Sequence, residues 1–506
     1  MKIISLGMGQ KIFEKDSAVR RRQVEYGALF EFLHIVVFSP NSSNFKCEKL
    51  SEKVFLYPTK TKIRIFYLVD FIKITRSIIK KDKDRDFILT TQDPFETGIV
   101  GVVLKILLGI PLHIQLHTDF NNKYFALHSP LNFARFLLAH ITLPFADAVR
   151  CVSEKAARGI EGLNPNVSVL PISQDLKFVG IEPQKEFKGR LLTVCRLEKE
   201  KDLETAVKAF SKLSTKYREA IFTIVGDGSQ RKSLELLAKS LELGDKIRFV
   251  GWQNDLNSFY KEADIYISTS LFEGYGMSVV EAALHGLPLV LSEAGIAEEY
   301  FKDKGALLCK PKDVDAFYKS LLVLFKDEQS RVKMGQDAKM SAESKMVVWQ
   351  DYLSLYKKDL EDTRSDPNKN KNMFSRIFYF LSSIMFVRYF FSGITSAGFN
   401  IGLLYVFTDM VGIWYLYSSI IAFVLALFLS FVLQKFVVFR DSNVNDVHKQ
   451  FSKFSIVAVL GVVTNTAIIF VCVDYLGIWY ILSQIIAGFF VMIQNFILYK
   501  IFIFKK

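Results

Sequence analysis

The last quarter of the chain contains four long apolar stretches, and these limit the possible folds more than any other feature. Each is at least 20 residues long and lacks Lys, Arg, Asp and Glu; they lie near 389–408, 414–433, 454–473 and 478–499. An apolar helix of about 20 residues crosses the ~30 Å hydrocarbon core of a bilayer. Buried helices of water-soluble domains seldom reach this length without a charge. The sequence therefore predicts an all-α membrane domain of four transmembrane helices.

This membrane segment also contains an internal repeat. Residues 388–440 align without a gap with residues 453–505, 65 positions later. The tetrapeptide Gly-Ile-Trp-Tyr recurs in register, as do polar residues that chance would not align: Asn400 with Asn465, Asp409 with Asp474, and Lys435 with Lys500. We therefore expect two tandem two-helix repeats with the same orientation, related by an axis along the membrane normal.

Basic residues flank one side of the predicted spans: Arg376, Arg388, Lys435, Arg440, Lys449, Lys453, Lys500, Lys505 and Lys506. The hairpins on the other side, near 409–414 and 474–479, have neither Lys nor Arg. The positive-inside rule then predicts a multi-pass protein of the cell membrane, with both termini and the 440–453 loop in the cytoplasm. The aromatic residues at the outer interface would be Trp414, Tyr415, Trp479 and Tyr480.

Residues 361–384 separate this predicted membrane domain, 385–506, from the rest of the chain. Leu360–Asn372 is a polar linker without apolar periodicity. Phe374–Val387 is too short to span alone before Arg388, so it either lies in the interface as an amphipathic anchor or extends the first span.

Residues 1–360 alternate short apolar runs with helical stretches, which is typical of parallel α/β domains. We expect one Rossmann-like domain at 1–182 and a second at 183–344, with a closing helix at 345–360 that joins the first domain. The initial apolar run, KIISLG, is too short for a signal peptide and reads as a strand. The five cysteines are scattered, which makes a disulfide scaffold or a zinc site improbable and favours a reducing compartment.

Two turns of the second domain indicate a phosphate-binding site. Gly226-Asp227-Gly228 follows the strand IFTIV and precedes a helix beginning near Arg231, and such a turn can direct backbone N–H groups at phosphate. Arg196 and Lys201 lie in the strand-to-helix turn after LLTVC, where two cations can neutralise a diphosphate. Taken singly, the first could be an ordinary tight turn and the second a solvated charge run.

The strongest motif is Leu271–Pro288, in which Glu273 and Glu281 are separated by seven residues. A Gly-Tyr-Gly loop follows Glu273, and a helix is expected to begin near Met277. Glu281 would then lie one turn inside the helix and Glu273 in the loop before it. One of the two carboxylates can therefore face ribose hydroxyls, while the loop amides and the helix dipole face phosphates. Alone, the pair could be two unrelated acids on a surface helix. Together with the two turns it falls at the carboxyl ends of strands, where open α/β sheets bind ligands.

With these motifs in place, residues 1–360 resemble the family-4 (group 1) retaining glycosyltransferases of the GT-B fold, which consists of two Rossmann-like domains. The resemblance covers the Arg196–Lys201 turn, the glycine turn, and Glu273 with Glu281. Residues 385–506 resemble the GtrA-like membrane family through Asn495-Phe496-Ile497-Leu498-Tyr499-Lys500. The chain departs from the glycosyltransferase pattern at Cys195 and Asp202, where glycine is usual, and in its first loop, which lacks the usual Gly-Gly.

The resemblance implies a nucleotide-sugar donor bound without a metal or another cofactor. Arg196 and Lys201 would hold the diphosphate, and Glu281 the ribose, beside the turn formed by Gly226 and Gly228. Glu273 and the backbone amides of four residues would hold the sugar: Gly274, Tyr275, Gly276 and Met277. His117, after a strand of the first domain, resembles the family's cleft-facing histidine, although a lone histidine there could also be a core residue. No side chain is an evident nucleophile.

The resulting hypothesis is an enzyme that transfers a sugar to a lipid, such as a polyprenyl phosphate or pyrophosphate carrier, with the GtrA-like part presenting or translocating that lipid. No nucleic acid is expected as a partner. One alternative is the same transferase with the membrane part serving only as an anchor. The other is a transporter of lipid-linked sugar whose α/β part only senses nucleotide-sugar. The net charge of +13 suits partners that carry phosphate.

Overall fold

The computed structural model divides the chain into two compact units, Met1–Met373 and Phe374–Lys506. The residues that it describes are 1–63, 66–82, 86–173, 186–302, 304–364, 385–439, 441, 447–472, 480–499 and 503.

The first unit begins with an eight-stranded sheet in the order β3-β4-β2-β1-β5-β6-β7-β8. All neighbouring strands are parallel except β3 and β4. Its strands are β1 (Lys2–Gly7), β2 (Phe32–Val37), β3 (Glu48–Lys49), β4 (Val54–Pro58), β5 (Phe87–Thr91), β6 (Leu112–Leu116), β7 (Ala148–Cys151) and β8 (Val167–Val169). The central strands are buried along their whole length, as expected for a parallel sheet covered on both faces.

Six helices follow these strands: α1 (Ala18–Ala28), α2 (Tyr67–Lys80), α3 (Glu96–Leu108), α4 (Lys123–His128), α5 (Pro130–Thr142) and α6 (Glu154–Arg158). Crossovers between parallel strands are right-handed. The connection from β1 to β2 runs along the sheet in one direction. The connections from β4 to β5, from β5 to β6 and from β6 to β7 run in the other direction. Therefore α2, α3, α4 and α5 cover one face of the sheet, and α1 covers the other.

The second sheet has six parallel strands in the order β11-β10-β9-β12-β13-β14. They are β9 (Arg190–Val194), β10 (Ile221–Val225), β11 (Ile247–Gly251), β12 (Ile265–Ser268), β13 (Leu289–Ser292) and β14 (Ala306–Cys309). The helices are α7 (Leu203–Lys216), α8 (Arg231–Ser240), α9 (Asn257–Glu262), α10 (Met277–Leu284), α11 (Ala297–Phe301), α12 (Val314–Lys326) and α13 (Glu328–Lys345). The prediction of two Rossmann-like sheets is confirmed.

Helix α14 (Trp349–Asp362) follows the second sheet in the chain but packs on the first. Tyr352 and Tyr356 are buried against Tyr26 of α1, with ring centroids 6.3 and 5.1 Å from its ring. Trp349 stacks on Tyr352 at 5.3 Å. This aromatic cluster covers the α1 face of the first sheet. The predicted boundary at 182/183 lies outside the described residues.

The described residues of the second unit include four long helices: α15 (Met385–Tyr405), α16 (Tyr415–Val432), α17 (Val447–Phe470) and α18 (Tyr480–Leu498). Wider, π-helical turns extend α15 to Met410 and α16 to Val438. Three segments among the described residues are long and apolar enough to span a bilayer: Phe391–Met410, Leu416–Val438 and Val447–Ile468. A helical membrane region is therefore confirmed, whereas four spans and a tandem repeat stay predictions.

Polar side chains make contacts between segments of this unit. The fully buried Lys435 donates hydrogen bonds to Asp441, at 3.0 Å, and to Gln450, at 2.6 Å. Gln434 donates to the hydroxyl of Ser392 at 3.3 Å. Several sequence predictions lie outside the described residues: most of the 361–384 linker with its interfacial segment, the 474–479 hairpin with Trp479, and the basic residues at 440, 500, 505 and 506.

Candidate functional site

The turns that follow β9 and β10 pack backbone to backbone at the edge of the second sheet. A Cβ atom on Gly226, whose φ is +131°, would lie 1.9 Å from the carbonyl oxygen of Cys195. A Cβ on Gly228 would lie 2.5 Å from the carbonyl oxygen of Leu197. Glycine is therefore required where the sequence placed a phosphate-binding turn. Asp202 occupies a position where the family that this chain resembles usually has glycine, and it adopts a left-handed φ of +46°. Asp tolerates this conformation better than most residues do.

The structure brings Lys201 and Glu273 together, from the turns after the adjacent strands β9 and β12. Lys201 Nζ forms a short ion pair with Glu273 Oε1, which also accepts a 2.9 Å hydrogen bond from the Ser270 hydroxyl. The Lys201 and Glu273 side chains are only 13% and 22% exposed. The ion pair and the bond from Ser270 hold these two side chains in position. Because burial weakens solvent screening, their charges would act more strongly on a ligand than exposed charges do.

Arg196 is arranged differently from Lys201. Its side chain is 66% exposed and its Nη2 lies 2.9 Å from Glu200 Oε1. The backbone carbonyl of Glu200 in turn accepts a 2.8 Å hydrogen bond from the N–H of Leu271, which ties the cationic turn to the loop that carries Glu273. Arg196 can therefore move toward a ligand at little cost, whereas Lys201 is already in place.

Helix α10 begins at Met277, as the motif predicts, and Gly276 precedes it with φ of +104°. Glu281 lies one turn inside the helix and accepts a 2.8 Å hydrogen bond from the Tyr260 hydroxyl. Burial raises the pKa of Glu281, and the bond from Tyr260 partly opposes that rise. Tyr260 itself is 2% exposed. Sequence reasoning missed this tyrosine, because it belongs to α9 and no local pattern links it to α10.

Tyr275 contributes to the site only through its backbone. Its side chain is buried, with its hydroxyl 3.1 Å from that of Tyr300, and points into the core of the second domain. Its carbonyl oxygen accepts a hydrogen bond from the N–H of Ile296 at 3.1 Å. These contacts hold the loop between Glu273 and α10 in one conformation, with Gly274, Gly276 and Met277 alongside.

His117 lies against this loop, although it belongs to the first sheet. A Cβ on Gly274 would be 1.7 Å from the carbonyl oxygen of His117, so the two backbones are in direct contact. The Ser153 hydroxyl, after β7, donates a 3.2 Å hydrogen bond to the Gly274 carbonyl and so connects a second segment of the first domain to the Gly274 loop. The structure thus gathers the predicted residues of both domains at facing carboxyl ends of the two sheets.

His117 contacts a network of buried polar side chains in the first domain. His117 Nε2 lies 3.3 Å from Gln115 Oε1, which also accepts a 3.1 Å hydrogen bond from Arg150. Gln115 Nε2 in turn lies 3.4 Å from the Tyr356 hydroxyl of α14. Arg150 is 3% exposed, and its Nε has no hydrogen-bond partner among the described residues. Sequence reasoning missed these residues; the available signal was polar side chains inside buried strands.

The network also sets the charge state of His117. His117 is partly exposed to solvent, and its ring contacts the buried side chain of Gln115. Desolvation, with further repulsion from Arg150 and His113, lowers the pKa of His117 to about 3. The ring is therefore neutral at physiological pH and acts as a hydrogen-bonding group rather than as a cation.

A pH profile tests this assignment. Replacing His117 by Asn should lower turnover by about fivefold to tenfold, the value of one neutral hydrogen bond. Because the wild-type ring stays neutral above pH ~3, the ratio of the wild-type and variant rates should be constant across the usual histidine range near pH 6.5. A ratio that changes about tenfold across that range would mean that the ring titrates there, against this assignment.

Among the described residues, no group of three His, Cys, Asp or Glu side chains is placed to hold a metal ion. The site instead gathers the cations Arg196 and Lys201, the carboxylates Glu273 and Glu281, and the backbone N–H groups at the start of α10. Cations and helix N-terminal N–H groups are groups that bind phosphate in proteins.

Two parts of the chain match known protein families. Residues 177–341 match the family described as glycosyl transferases group 1, and residues 388–504 match the GtrA/DPMS transmembrane domain. An uncharacterised glycosyltransferase of Methanocaldococcus jannaschii is 25% identical over 53% of this chain and 70% of its own length. An alpha-monoglucosyldiacylglycerol synthase of Streptococcus pneumoniae is 24% identical over 51% of this chain and 64% of its own.

Among solved structures, Anabaena HepE in complex with UDP and glucose matches with a TM-score of 0.55 and 16% identity. The match covers 71% of this chain and 99% of HepE, and it shows that the first unit has the GT-B fold. The chain spans between a quarter and 70% of the length of the curated relatives it matches. The chain is a membrane protein that joins a group 1 glycosyltransferase domain, within a GT-B fold, to a GtrA/DPMS transmembrane domain.

Proposed function

We propose that this protein transfers a sugar from a nucleotide-sugar to a lipid acceptor at the cytoplasmic face of the membrane. The observation that carries the proposal is the Lys201–Glu273 pair, held beside His117 and the start of α10. This group of residues lies on the same chain as a GtrA/DPMS transmembrane domain. Cationic residues suited to a diphosphate favour a nucleotide-sugar donor taken from the cytoplasm. A transmembrane domain on the same chain favours an acceptor taken from the membrane.

In the proposed donor complex, the diphosphate lies over the turns after β9 and β10, next to Lys201 and Arg196. Glu281, fixed by Tyr260, accepts hydrogen bonds from the ribose hydroxyls. The sugar lies between Glu273 and His117, along the backbone of Gly274. Anabaena HepE, which has this fold, was solved in complex with UDP and glucose, and that complex supports a pyrophosphate-linked donor for the present site.

The proposed reaction retains the configuration at the anomeric carbon. The bond between that carbon and the diphosphate oxygen breaks first, and the bonding electrons leave with the diphosphate. Lys201 and Arg196 stabilise this growing charge through electrostatic preorganisation. The acceptor hydroxyl or phosphate oxygen then attacks from the same face. A hydroxyl acceptor transfers its proton to the departing phosphate oxygen, and neutral His117 orients the sugar between the two domains.

The lipid acceptor is supported by both parts of the chain. The name of the Streptococcus relative gives it a diacylglycerol glycolipid as product. A polyprenyl phosphate or pyrophosphate carrier is the acceptor we propose here, because the GtrA-like part would then present or translocate the same lipid. The alternatives stay open: the membrane part as a simple anchor, or a transporter with a regulatory α/β part. The paired Lys201 and Glu273 favour an enzyme over a sensor.

We further propose that the membrane part has four spans in two tandem repeats. The wider helical turn at 406–410 recurs at residues 471 and 472, and the one at 433–438 recurs at residues 499 and 503, with the same 65-residue offset. By the positive-inside rule, the basic residues on one side of the spans support a cytoplasmic location for the transferase and both termini.

The direct test is a screen of radiolabelled nucleotide-sugars with membranes that contain the protein, followed by extraction of the lipid product. The expected result is label in a lipid fraction that depends on Lys201. Label transferred only to a water-soluble acceptor would contradict the lipid assignment. Binding without turnover of every donor would favour the sensor.

Glu281 provides a test of the donor site. Replacing it by Ala removes a charged acceptor of ribose hydrogen bonds and should weaken donor binding by ~1.5–3 kcal/mol, or about 10-fold to 150-fold in Kd. Isothermal titration of the folded variant measures this change. The matched control is Glu262→Ala, a 71% exposed acid on α9 whose loss should leave Kd unchanged. Equal affinity in the two variants would remove Glu281 from the site.

Chelation tests the proposal that the reaction needs no metal. With cations and helix N–H groups holding the diphosphate, EDTA should leave the initial rate within about twofold of the untreated rate. The rate should be measured after dialysis against EDTA and again after Mg²⁺ or Mn²⁺ is restored. A strict and restorable metal requirement would show that this mechanism is wrong.

A further inference from the structure

The helix layer formed by α2, α3 and α5 has an outer face that is unusual for a water-exposed surface. Every exposed side chain of α5, which is described in full, is apolar: Pro130, Leu131, Phe133, Ala134, Leu137 and Ile141. The exposed residues of α3, also described in full, are Ile106 and Leu107. Water-facing sides of helices normally carry charged and polar residues. Exposed apolar side chains concentrated on helices in this way mark an interaction surface.

Helix α2 adds positive charge to this surface. Its exposed side chains are Val69, Lys73, Arg76, Ser77 and Lys80, spaced so that they share one side of the helix. All the exposed charges of this fully described helix are thus cations. For comparison, the exposed residues of α8 in the second domain include Lys232, Glu235 and Lys239, a mixture of both signs.

The three helices lie side by side on the same face of the first sheet, since α2 packs on α3 and α3 on α5. Arg76 and Lys80 of α2 and Leu108 of α3 line one shared depression of about 370 Å³ where the two helices end. The cations therefore lie next to the C-terminal end of α3, the end that carries the exposed Ile106 and Leu107. We call this surface, formed by the exposed side chains of α2, α3 and α5, the basic-apolar face.

The chain leaves the first unit beside this face. Helix α14 ends at Asp362, and Arg364 forms an ion pair of 2.5 Å with Asp86, which directly precedes β5. Phe87, the first residue of β5, lines the same depression as Lys80. The first span begins at Phe391, so the unit is tethered to a bilayer by fewer than 30 residues from its basic-apolar end.

We propose that the basic-apolar face is a docking surface for the cytoplasmic surface of the bilayer, with apolar side chains of α3 and α5 in the interface and the cations of α2 on anionic lipid phosphates. Apolar residues with Lys and Arg on one side are the composition that binds anionic membranes. Tethering raises the local concentration of the lipid surface, so a modest intrinsic affinity is sufficient. Docking holds the transferase in one orientation on the membrane, and it does not depend on the proposed reaction.

The test is depth-dependent fluorescence quenching with the full-length protein in nanodiscs of phosphatidylcholine and phosphatidylglycerol. Cys47, the exposed native cysteine, is changed to Ser, and a fluorophore is attached at Ile106→Cys or Ile141→Cys. The control label is at Leu236→Cys on α8, a position that is 68% exposed. Nitroxides on the lipid chains should quench the labels at 106 and 141 at least about threefold more than the label at 236, because an interfacial helix buries its apolar face ~5–10 Å deep.

A charge-reversal variant tests the role of the cations. Changing Lys73, Arg76 and Lys80 together to Glu should reduce quenching at position 106 in anionic discs to the level in pure phosphatidylcholine. The matched variant Lys232→Glu with Lys239→Glu on α8 should leave it unchanged. All the changed side chains are exposed, and none belongs to the donor site.

Three outcomes would overturn the proposal. In the first, the labels at 106 and 141 are quenched by lipid nitroxides no more than the label at 236. In the second, they are shielded from aqueous iodide but not quenched from the lipid, which would show that protein, such as a second copy of this chain, covers the face. In the third, charge reversal has no effect, which would remove the cations from the proposal. Each readout is independent of turnover, so loss of activity alone leaves the result interpretable.

Discussion

Replacing Lys201 by Ala is expected to lower turnover by about 10²–10³-fold. In the proposed donor complex this lysine is a cation already held in position beside the diphosphate, where negative charge develops as the sugar leaves. Two effects combine in this variant. The leaving group loses a partner that the structure already holds in position, and Glu273 is left as a partly buried carboxylate without its cation. Donor affinity should fall less than turnover, because the charge on the diphosphate increases in the transition state.

The adjacent turn provides the matched control. Lys199 belongs to the same short turn, is exposed, and makes no contact with Glu273. Lys199→Ala should therefore retain nearly the wild-type rate. Rates are measured with a saturating donor, and circular dichroism checks that each variant is folded. Similar rates in the two variants would mean that the ion pair has no part in the reaction. Arg196→Ala should also reduce turnover, since its exposed side chain can move onto the diphosphate.

Cutting the chain after Met373 should separate donor binding from lipid glycosylation. The first unit has its own hydrophobic cores beneath both sheets, so donor affinity should persist. Its proposed acceptor, however, is a lipid, and loss of the tether removes an effective concentration that reaches the mM range. Glycolipid formation on membranes should therefore fall by about a hundredfold or more. Undiminished lipid glycosylation by the truncated protein would contradict the tethering argument.

An unrelated four-span anchor fused after Met373 distinguishes the two roles proposed for the membrane part. Restored synthesis together with product in the outer leaflet would mean that the GtrA-like part is only an anchor. Restored synthesis with the product confined to the inner leaflet would assign lipid translocation to that part. A lectin or an impermeant reagent applied to sealed vesicles measures which leaflet holds the product.

Docking of the basic-apolar face would also fix how the transferase is oriented on the bilayer. A tether alone keeps the transferase near the bilayer, but the proposed docking would also hold one face of the first sheet on it. The helical periodicity of α5 does not identify this surface, because its sequence, PLNFARFLLAHIT, is equally consistent with a helix that is buried on every side. Only the packing of α5 on α3 shows which of its apolar residues remain exposed.

Much of the architecture followed from local patterns. Apolar length and the absence of charge predicted the membrane region, because the thickness of the hydrocarbon core sets the length of a span. Buried apolar runs bounded by turns predicted the strands, because strands of a covered parallel sheet contact protein on both faces. The start of α10 at Met277 and of α8 at Arg231 followed from glycine turns.

The contacts within the site could not be predicted in the same way. Lys201 meets Glu273 across 72 residues, and Gln115 meets Tyr356 across 241 residues. Such pairings depend on the order of strands in each sheet and on the return of α14 to the first one. The sequence by itself determined that the chain has two α/β sheets and a membrane region, and it singled out the residues of the proposed donor site, since these inferences depend on period, length and residue type. Only the tertiary structure decided that Lys201 is paired, that Glu281 is fixed by Tyr260, and that His117 is neutral beside Gly274, because burial and contact arise when distant segments pack together.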